Sequence, residues 1–221
     1  MGDFATATLV AAAVVLAGCG TPASSSVSNS SQAPLATANS SVPTGTALTF
    51  PPSQTPIEPG IYRWDGFEPS ITIALGPGWA LGHHNAAFFD LFRGSDFPSV
   101  TFGRFTDVYV DGTTRVPAVD AETVAATLMG RTDMTVTVLS DDELGGHAGR
   151  RFDLVTLAPR TPLFFGPAGD FKLDPEFKTR YRVLDFPGGG VLVIGIHTRQ
   201  AGFDDGVTLA EPIVETVIIE R

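Results

Sequence analysis

The chain has 221 residues, with 24 acidic and 14 basic side chains, and its formal net charge is −10 at pH 7. Because this charge repels phosphate backbones, the composition argues against nucleic-acid binding. It also disfavours docking on anionic lipid by anything other than a covalent anchor. A single cysteine excludes an internal disulfide framework.

Residues 1–18 have the pattern of a cleaved leader, in which an apolar run over 9–15 precedes the sequence Leu-Ala-Gly-Cys ending at Cys19. The uncharged stretch is shorter than the ~20 apolar residues that a membrane-spanning helix needs. The pattern resembles the lipobox of bacterial lipoproteins. That resemblance implies a diacylglyceryl group on the Cys19 thiol, cleavage after Gly18, and attachment to the outer face of the cell membrane. The alternative is a secreted protein in which Cys19 is incidental.

Residues 19–58 follow as a segment dominated by Ser, Thr, Ala, Pro and Asn. It has no apolar period, and such a composition does not bury enough surface to offset the entropy of ordering. We therefore predict a disordered tether that is dispensable for folding and has a mean reach of about 35 Å.

Residues 59–221 are predicted to form one α+β domain, because alternating apolar and polar residues dominate this part of the chain. Strands are predicted at 71–75, 87–92, 99–110, 134–138 and 191–197, and Trp79, after a Gly-Pro-Gly turn, is predicted to be a buried anchor. A helix is predicted from Asp120 to Met129, and a second from Asp204 toward Glu215, which Pro212 is expected to kink or to restart. The expected architecture is an antiparallel sheet with helices on one face and a short final strand.

The segment 158–176 is rich in Pro and Gly and is predicted to be a long irregular excursion. It contains Leu163, Phe164 and Phe165, three consecutive apolar residues that cannot all face a core from regular structure. We therefore predict that they form the lip of a ligand-binding or partner-binding surface. The alternative is that the segment only packs over the sheet and seals it.

Two short motifs suggest a family. The sequence Leu75-Gly76-Pro77-Gly78-Trp79 resembles the Pro-x-Gly-Trp opening of the Mog1/PsbP-like fold. Residues 145–153 are similar to the Gly-Gly-x-x-Gly-x-x-Phe-Asp turn of those domains and of actinobacterial lipoproteins. The resemblance covers residues 60–220 and implies an antiparallel sheet with two packed helices. It implies binding or assembly roles more often than catalysis, and no catalytic residue set carries over.

The sequence offers little support for metal, cofactor or catalytic chemistry. His83 and His84 are adjacent, and on a strand they would point to opposite faces. The glycines at 145–149 and 188–190 do not open a helix and are predicted to be hairpin turns rather than phosphate cradles. The acidic residues 141–143 are predicted to be a solvated cluster without the alternating spacing of a calcium loop. No metal, cofactor or catalytic residue is predicted.

The leading functional prediction is a non-catalytic, membrane-anchored lipoprotein that faces the extracytoplasmic side. Its partner would be an envelope protein or a small apolar ligand. One alternative is an extracytoplasmic hydrolase whose His and Asp residues are assembled by the fold. Another is a structural factor in cell-envelope assembly.

Overall fold

A computed structural model describes residues 45–94 and 97–220 of the chain. The predicted leader, Cys19 and the tether up to residue 44 lie outside the described residues. Within the described part, no helix is both long and apolar enough to span a membrane.

The described residues form many short strands and two α-helices, α1 (Ala121–Met129) and α2 (Phe203–Val214), with a 3₁₀ turn at Gln200–Gly202. The strands in chain order are β1 (Leu48–Thr49), β2 (Thr55–Pro56), β3 (Gly60–Trp64), β4 (Ile71–Leu75), β5 (Trp79–Asn85), β6 (Phe88–Arg93), β7 (Ser99–Phe105), β8 (Asp107–Tyr109), β9 (Arg115–Pro117), β10 (Met134–Leu144), β11 (His147–Thr156), β12 (Thr161–Gly166), β13 (Gly169–Leu173), β14 (Phe177–Asp185), β15 (Val191–Arg199) and β16 (Ile218–Ile219).

The strands of the described residues form three sheets. The central sheet has the order β10-β11-β14-β15-β7-β6-β5-β2, the N-terminal sheet the order β1-β3-β4-β16, and the small sheet the order β13-β12-β8-β9. Of the described strand pairs, β1 with β3 is parallel and the others are antiparallel. The protein is therefore mostly antiparallel sheet with two helices, and richer in sheet than the predicted α+β arrangement.

Each face of the central sheet carries its own buried cluster, because alternate residues of a strand point to opposite faces. On β15, Leu192, Ile194 and Ile196 belong to the first cluster, which packs against the N-terminal sheet and α2. Val191 and Val193 of the same strand belong to the second cluster, which packs against α1 and the small sheet. The two helices therefore lie on opposite faces, and the prediction of helices on one face is wrong.

Helix α1 begins and ends where the sequence predicts. The Asp120 carboxylate accepts a hydrogen bond of 2.7 Å from the backbone N–H of Thr123, as an N-cap residue does. Gly130 follows the last helical residue. The side chains spaced three and four apart are the buried ones, namely Ala121, Val124, Ala125 and Leu128.

Helix α2 begins at Phe203, next to the predicted start, and continues through Pro212 to Val214. Glu215, which follows the helix as its C-cap, donates a backbone hydrogen bond of 3.0 Å to the carbonyl of Glu211. The short final strand is present as β16, which pairs with β4. Trp79 is 3% exposed and lies in the first cluster, so its predicted burial is confirmed.

The last part of the predicted tether is part of the domain. Strands β1 and β2 lie within residues 45–58, and the side chains of Phe50 and Ile57 are buried in the first cluster. The Phe50 ring centroid lies 5.0 Å from that of Tyr62 and 5.4 Å from that of Phe89. The domain therefore begins before the predicted boundary at residue 59. Long-range apolar contacts order this segment although its composition is polar.

The predicted irregular excursion at 158–176 is a β-hairpin, formed by β12 and β13 and extended by pairing of β12 with β8. The register of β12 shifts between Pro162 and Phe164, as at a β-bulge. Because a bulge breaks the alternation of side chains, Leu163 and Phe164 both face the second cluster. The prediction of an irregular segment is wrong.

The acidic residues 141–143, predicted to be a solvated cluster, lie at the end of the edge strand β10, just before the turn at 145–146. The Asp142 side chain is only 10% exposed, and its Oδ2 lies 3.5 Å from Nε of the buried Arg182. A β-bulge near Leu139 separates this acidic half of the strand from its apolar half. Asp142 therefore belongs to a buried ion pair rather than to a solvated cluster.

Candidate functional site

A cavity of about 730 Å³ lies at one end of the first cluster. It is lined by the β3–β4 connection at 67–70, by the turns at 145–147 and 187–188, and by Arg63, Arg104 and Glu220. Cavities of roughly 300–1,000 Å³ are the usual size of small-molecule sites. The cavity is therefore the first candidate for a binding site.

Hairpin connections meet at this end of the central sheet because the strand register brings them together. Gly149 pairs with Leu184, so the β10–β11 turn and the β14–β15 turn lie side by side. Gly145 and Gly146 have φ values of 60° and 79°, and this conformation is available to glycine without strain. The hairpin turns predicted at these glycines and at 188–190 are both present.

Arg63 lines the cavity, but its charge is already compensated. Its Nε donates to Oδ1 of Asp65 at 2.5 Å, its Nη1 is hydrogen-bonded to both carboxylate oxygens of Glu220, and its Nη2 donates to Oγ of Ser70 at 3.0 Å. The hydrogen bond from Arg63 lowers the pKa of Asp65. Arg63 is therefore part of the cavity wall, and its charge is largely neutralised by Asp65 and Glu220 before any ligand binds.

Arg104 lines the same cavity without such a partner. Within the described part of the chain it forms no ion pair, and its guanidinium makes two long hydrogen bonds of 3.5 Å, to the backbone carbonyls of Glu68 and Gly189. The guanidinium carbon lies 5.4 Å from the centre of the Phe186 ring. Bonds at this length are weak, so Arg104 retains most of its capacity to donate hydrogen bonds.

The apolar part of the wall comes from the β3–β4 connection and the β14–β15 turn. Phe67 is 2% exposed, and its ring centroid lies 6.0 Å from that of Phe89 and 6.4 Å from that of Phe186. Pro69 and Pro187 add rigid apolar surface. The cavity thus combines an aromatic floor that continues the first cluster with one guanidinium at its side.

The predicted binding residues lie elsewhere. Leu163 and Phe164 are fully buried in the second cluster, so they form no exposed lip. Phe165 is half-buried, and the guanidinium carbon of Arg115 lies 3.7 Å above its ring. The described cavity next to the first cluster contains none of the three. Leu163 and Phe164 support the alternative interpretation, that this segment seals the sheet, and partner binding by Phe165 stays a prediction.

Arg104 was missed by sequence analysis, although a signal was present. In the strand at 99–105, Val100 and Phe102 point to the first cluster, and Arg104 is the next residue on that face. A charged residue on the apolar face of a strand is uncommon unless it is paired or serves a site. The alternation alone could therefore have marked Arg104.

The histidines do not converge on a metal site. Within residues 45–94 and 97–220, no group of three or more His, Cys, Asp or Glu side chains is arranged to hold a metal ion. The Oγ of Ser53 lies 2.6 Å from Nδ1 of His84, and this hydrogen bond is exposed to solvent. Burial raises the pKa of the nearby Asp90, whose Oδ1 has no hydrogen-bond partner among the described residues. Asp90 therefore does not orient His84 as the acid of a catalytic triad does.

His197 lies inside the second cluster. Its Nδ1 is 2.9 Å from Oγ1 of Thr179 on the paired strand, while its Nε2 and the hydroxyl of the adjacent Tyr181 have no hydrogen-bond partner among the described residues. Gly195 makes room for both rings, since a Cβ there would lie 2.8 Å from Nε2 of His197. Burial lowers the pKa of His197 to about 4 and raises the pKa of Tyr181. His197 is therefore neutral near pH 7.

No protein-family model and no curated protein matches the chain. One similar solved structure is cyanobacterial PsbP (CyanoP) from Synechocystis sp. PCC 6803, with 11% identity, a TM-score of 0.41, and coverage of 77% of this chain and 98% of that chain. Another is LpqN, involved in cell envelope biogenesis of Mycobacterium tuberculosis, with 13% identity, a TM-score of 0.40, and coverage of 76% and 90%. At these TM-scores neither similarity bears on the fold family or the function of this chain.

Proposed function

We propose that the chain is a lipid-anchored, extracytoplasmic binding protein without catalytic activity, and that the cavity holds a small apolar ligand. The lipobox pattern at Cys19 supports the location. The cavity beside Phe67 supports the binding role, because its volume and aromatic floor match those of small-molecule sites.

The single observation that carries the proposal is the position of this cavity. The cavity opens where the first cluster ends. An apolar ligand bound there would extend the core, and the core itself would stay covered. Phe67 is held by contacts with Phe89 and Phe186, so the floor is rigid before any ligand binds. Preformed sites of this kind bind without the entropic cost of ordering their walls.

The binding role is tested with the uncharged fluorophore N-phenyl-naphthylamine, titrated into the chain from Gly20 onward, which lacks only the leader and the lipidated cysteine. The fluorophore is expected to bind and to gain fluorescence. His147→Trp is expected to block binding, because His147 is half-buried in the cavity wall. The matched control is His83→Trp, since His83 is exposed and lies outside that wall. Equal binding to both variants would place the apolar site elsewhere.

The anchor is tested in cells that process lipoproteins. Cys19→Ala is expected to remain unprocessed or to leave the membrane fraction, whereas the unaltered chain is expected to partition into detergent. A cleaved Cys19→Ala chain that still partitions into detergent would contradict lipidation.

A further inference from the structure

We infer that the cavity selects apolar ligands carrying a single carboxylate, and that Arg104 binds that carboxylate; this inference rests on the proposed function. The two arginines of the cavity wall differ in how far their charge is balanced. Arg63 is compensated by Asp65 and Glu220, while Arg104 has no carboxylate partner in the described part of the chain. One guanidinium therefore remains to interact with a ligand.

The guanidinium of Arg104 has the geometry to bind a carboxylate. Its two existing hydrogen bonds are 3.5 Å long and go to neutral carbonyls, so a charged acceptor would replace them with shorter and stronger bonds. A planar guanidinium matches the two oxygens of a carboxylate in a bidentate arrangement. Arg104 is also half-buried against Phe186, which limits the water that competes for it.

The charge of the cavity wall favours a carboxylate over a phosphate. A phosphate monoester carries close to two negative charges at neutral pH, and the cavity offers one uncompensated cation. Glu68 lies exposed at the rim and Glu220 lies in the wall, so further negative charge is disfavoured. The formal net charge of −10 also disfavours a second negative charge on the ligand. A monoanion is the anion that this site accommodates best.

The apolar side chains of the cavity wall determine what the rest of the ligand can be. Phe67, Pro69 and Pro187 line the same cavity as Arg104, and their side chains offer no hydrogen-bond donors. The ligand body that fits them is apolar, so the predicted class is a small apolar monocarboxylate. The carboxylate fixes its orientation, and burial of the body against the accessible apolar wall at Pro69 and Pro187 provides most of the affinity.

The test uses naphthol, naphthoate and naphthyl phosphate, which share one apolar ring system and differ in the group at one carbon. Their dissociation constants are measured by calorimetry at neutral pH with the chain from Gly20 onward. Naphthoate is expected to bind about tenfold more tightly than naphthol, the size of one charge-assisted interaction. Naphthyl phosphate is expected to bind more weakly than naphthoate.

Arg104→Gln is expected to remove the advantage of naphthoate and to leave naphthol binding unchanged. Arg104→Lys keeps the charge and is expected to retain part of the advantage, which covers the case in which the glutamine variant does not fold. The control is Arg115→Gln, because Arg115 lies on the small sheet, where it stacks on Phe165. This variant is expected to bind all three compounds like the unaltered chain.

The outcomes separate the two proposals. Equal binding of naphthol and naphthoate, or tighter binding of the phosphate, would overturn the carboxylate inference and leave the apolar site intact. An unchanged naphthoate advantage in Arg104→Gln would also overturn it. If none of the three compounds binds, the proposed function fails and the inference fails with it.

Discussion

The polar groups of the candidate site and the polar groups around His197 lie on opposite faces of the central sheet, and they differ in how far they are enclosed. On the first-cluster face, Arg63 and Arg104 lie at the end of the apolar core, beside a cavity. On the second-cluster face, Thr179, Tyr181 and His197 lie inside the core, each less than a tenth exposed. Polar groups at the open end of a core can exchange water for a ligand, whereas enclosed groups mainly affect stability. This difference places the candidate site on the first face, although the sequence drew attention to the second.

The largest expected effect is on the first face and concerns its N-terminal segment. A chain that starts at residue 59 loses Phe50 and Ile57 from the first cluster and is expected to lose about 5 kcal/mol or more of unfolding free energy. A chain that starts at residue 45 keeps both residues and is the control. Urea denaturation compares their midpoints, and equal midpoints would mean that this face does not need the segment.

On the second face, two neighbouring residues of β12 are expected to differ sharply. Phe164 is fully buried, so Phe164→Ala should cost about 3–5 kcal/mol of unfolding free energy. Phe165→Ala should cost less, because Phe165 is half-buried and contacts the exposed Arg115. Denaturation of the two variants gives the comparison. Similar losses in both would show that the two side chains do not lie in different environments.

Acid is expected to destabilise the second face through His197. Its pKa is about 4 in the folded chain and ~6.5 when unfolded. As pH falls from 6.5 to 4 the unfolded chain takes up the proton first, so stability declines by about 3 kcal/mol across this window and the contribution is constant below it. His197→Phe removes the titrating group. Its unfolding free energy should therefore show a shallower decline, and an unchanged slope would assign the acid sensitivity to other groups.

The smallest expected effect is at the acidic half of β10. Asp142 pairs with the buried Arg182, whereas Asp141 is 87% exposed and pairs with Arg150 at the surface. Asp142→Asn is expected to destabilise the chain by about 1–3 kcal/mol, because it weakens the compensation of a buried cation. Asp141→Asn is expected to change the unfolding free energy by less than about 0.5 kcal/mol. Thermal melts of the two variants, if indistinguishable, would contradict this ranking.

Local signals predicted the parts of the fold that depend on near neighbours. Asp120 and Gly130 mark the ends of α1 because capping involves groups within one turn. The alternation over 71–75 identifies β4 because side-chain direction repeats every two residues. The glycine turns at 145–146 and 188–190 follow from the conformations that only glycine adopts easily.

Features that depend on distant partners were not predictable in this way. Pro and Gly suggested an irregular segment at 158–176, but pairing with β8 and a bulge make it a hairpin. Phe50 lies in a polar segment, and nothing local shows that Tyr62 and Phe89 will contact it. The cavity itself requires the N-terminal sheet and the central sheet to meet, so its position was not predictable, although strand alternation marked Arg104 and the glycines marked two of its turns.

Residues 45–58, the N-terminal segment of the described domain, also affect how the chain responds to a pulling force. Strand β1 pairs with β3 at two positions, and β2 pairs with β5 at two positions. A pulling force applied at residue 45 therefore loads these short attachments before it reaches the long strands of the central sheet. Peeling residues 45–58 releases about 45 Å of extended chain. The segment can thus yield under tension and lengthen the connection while the rest of the central sheet stays folded.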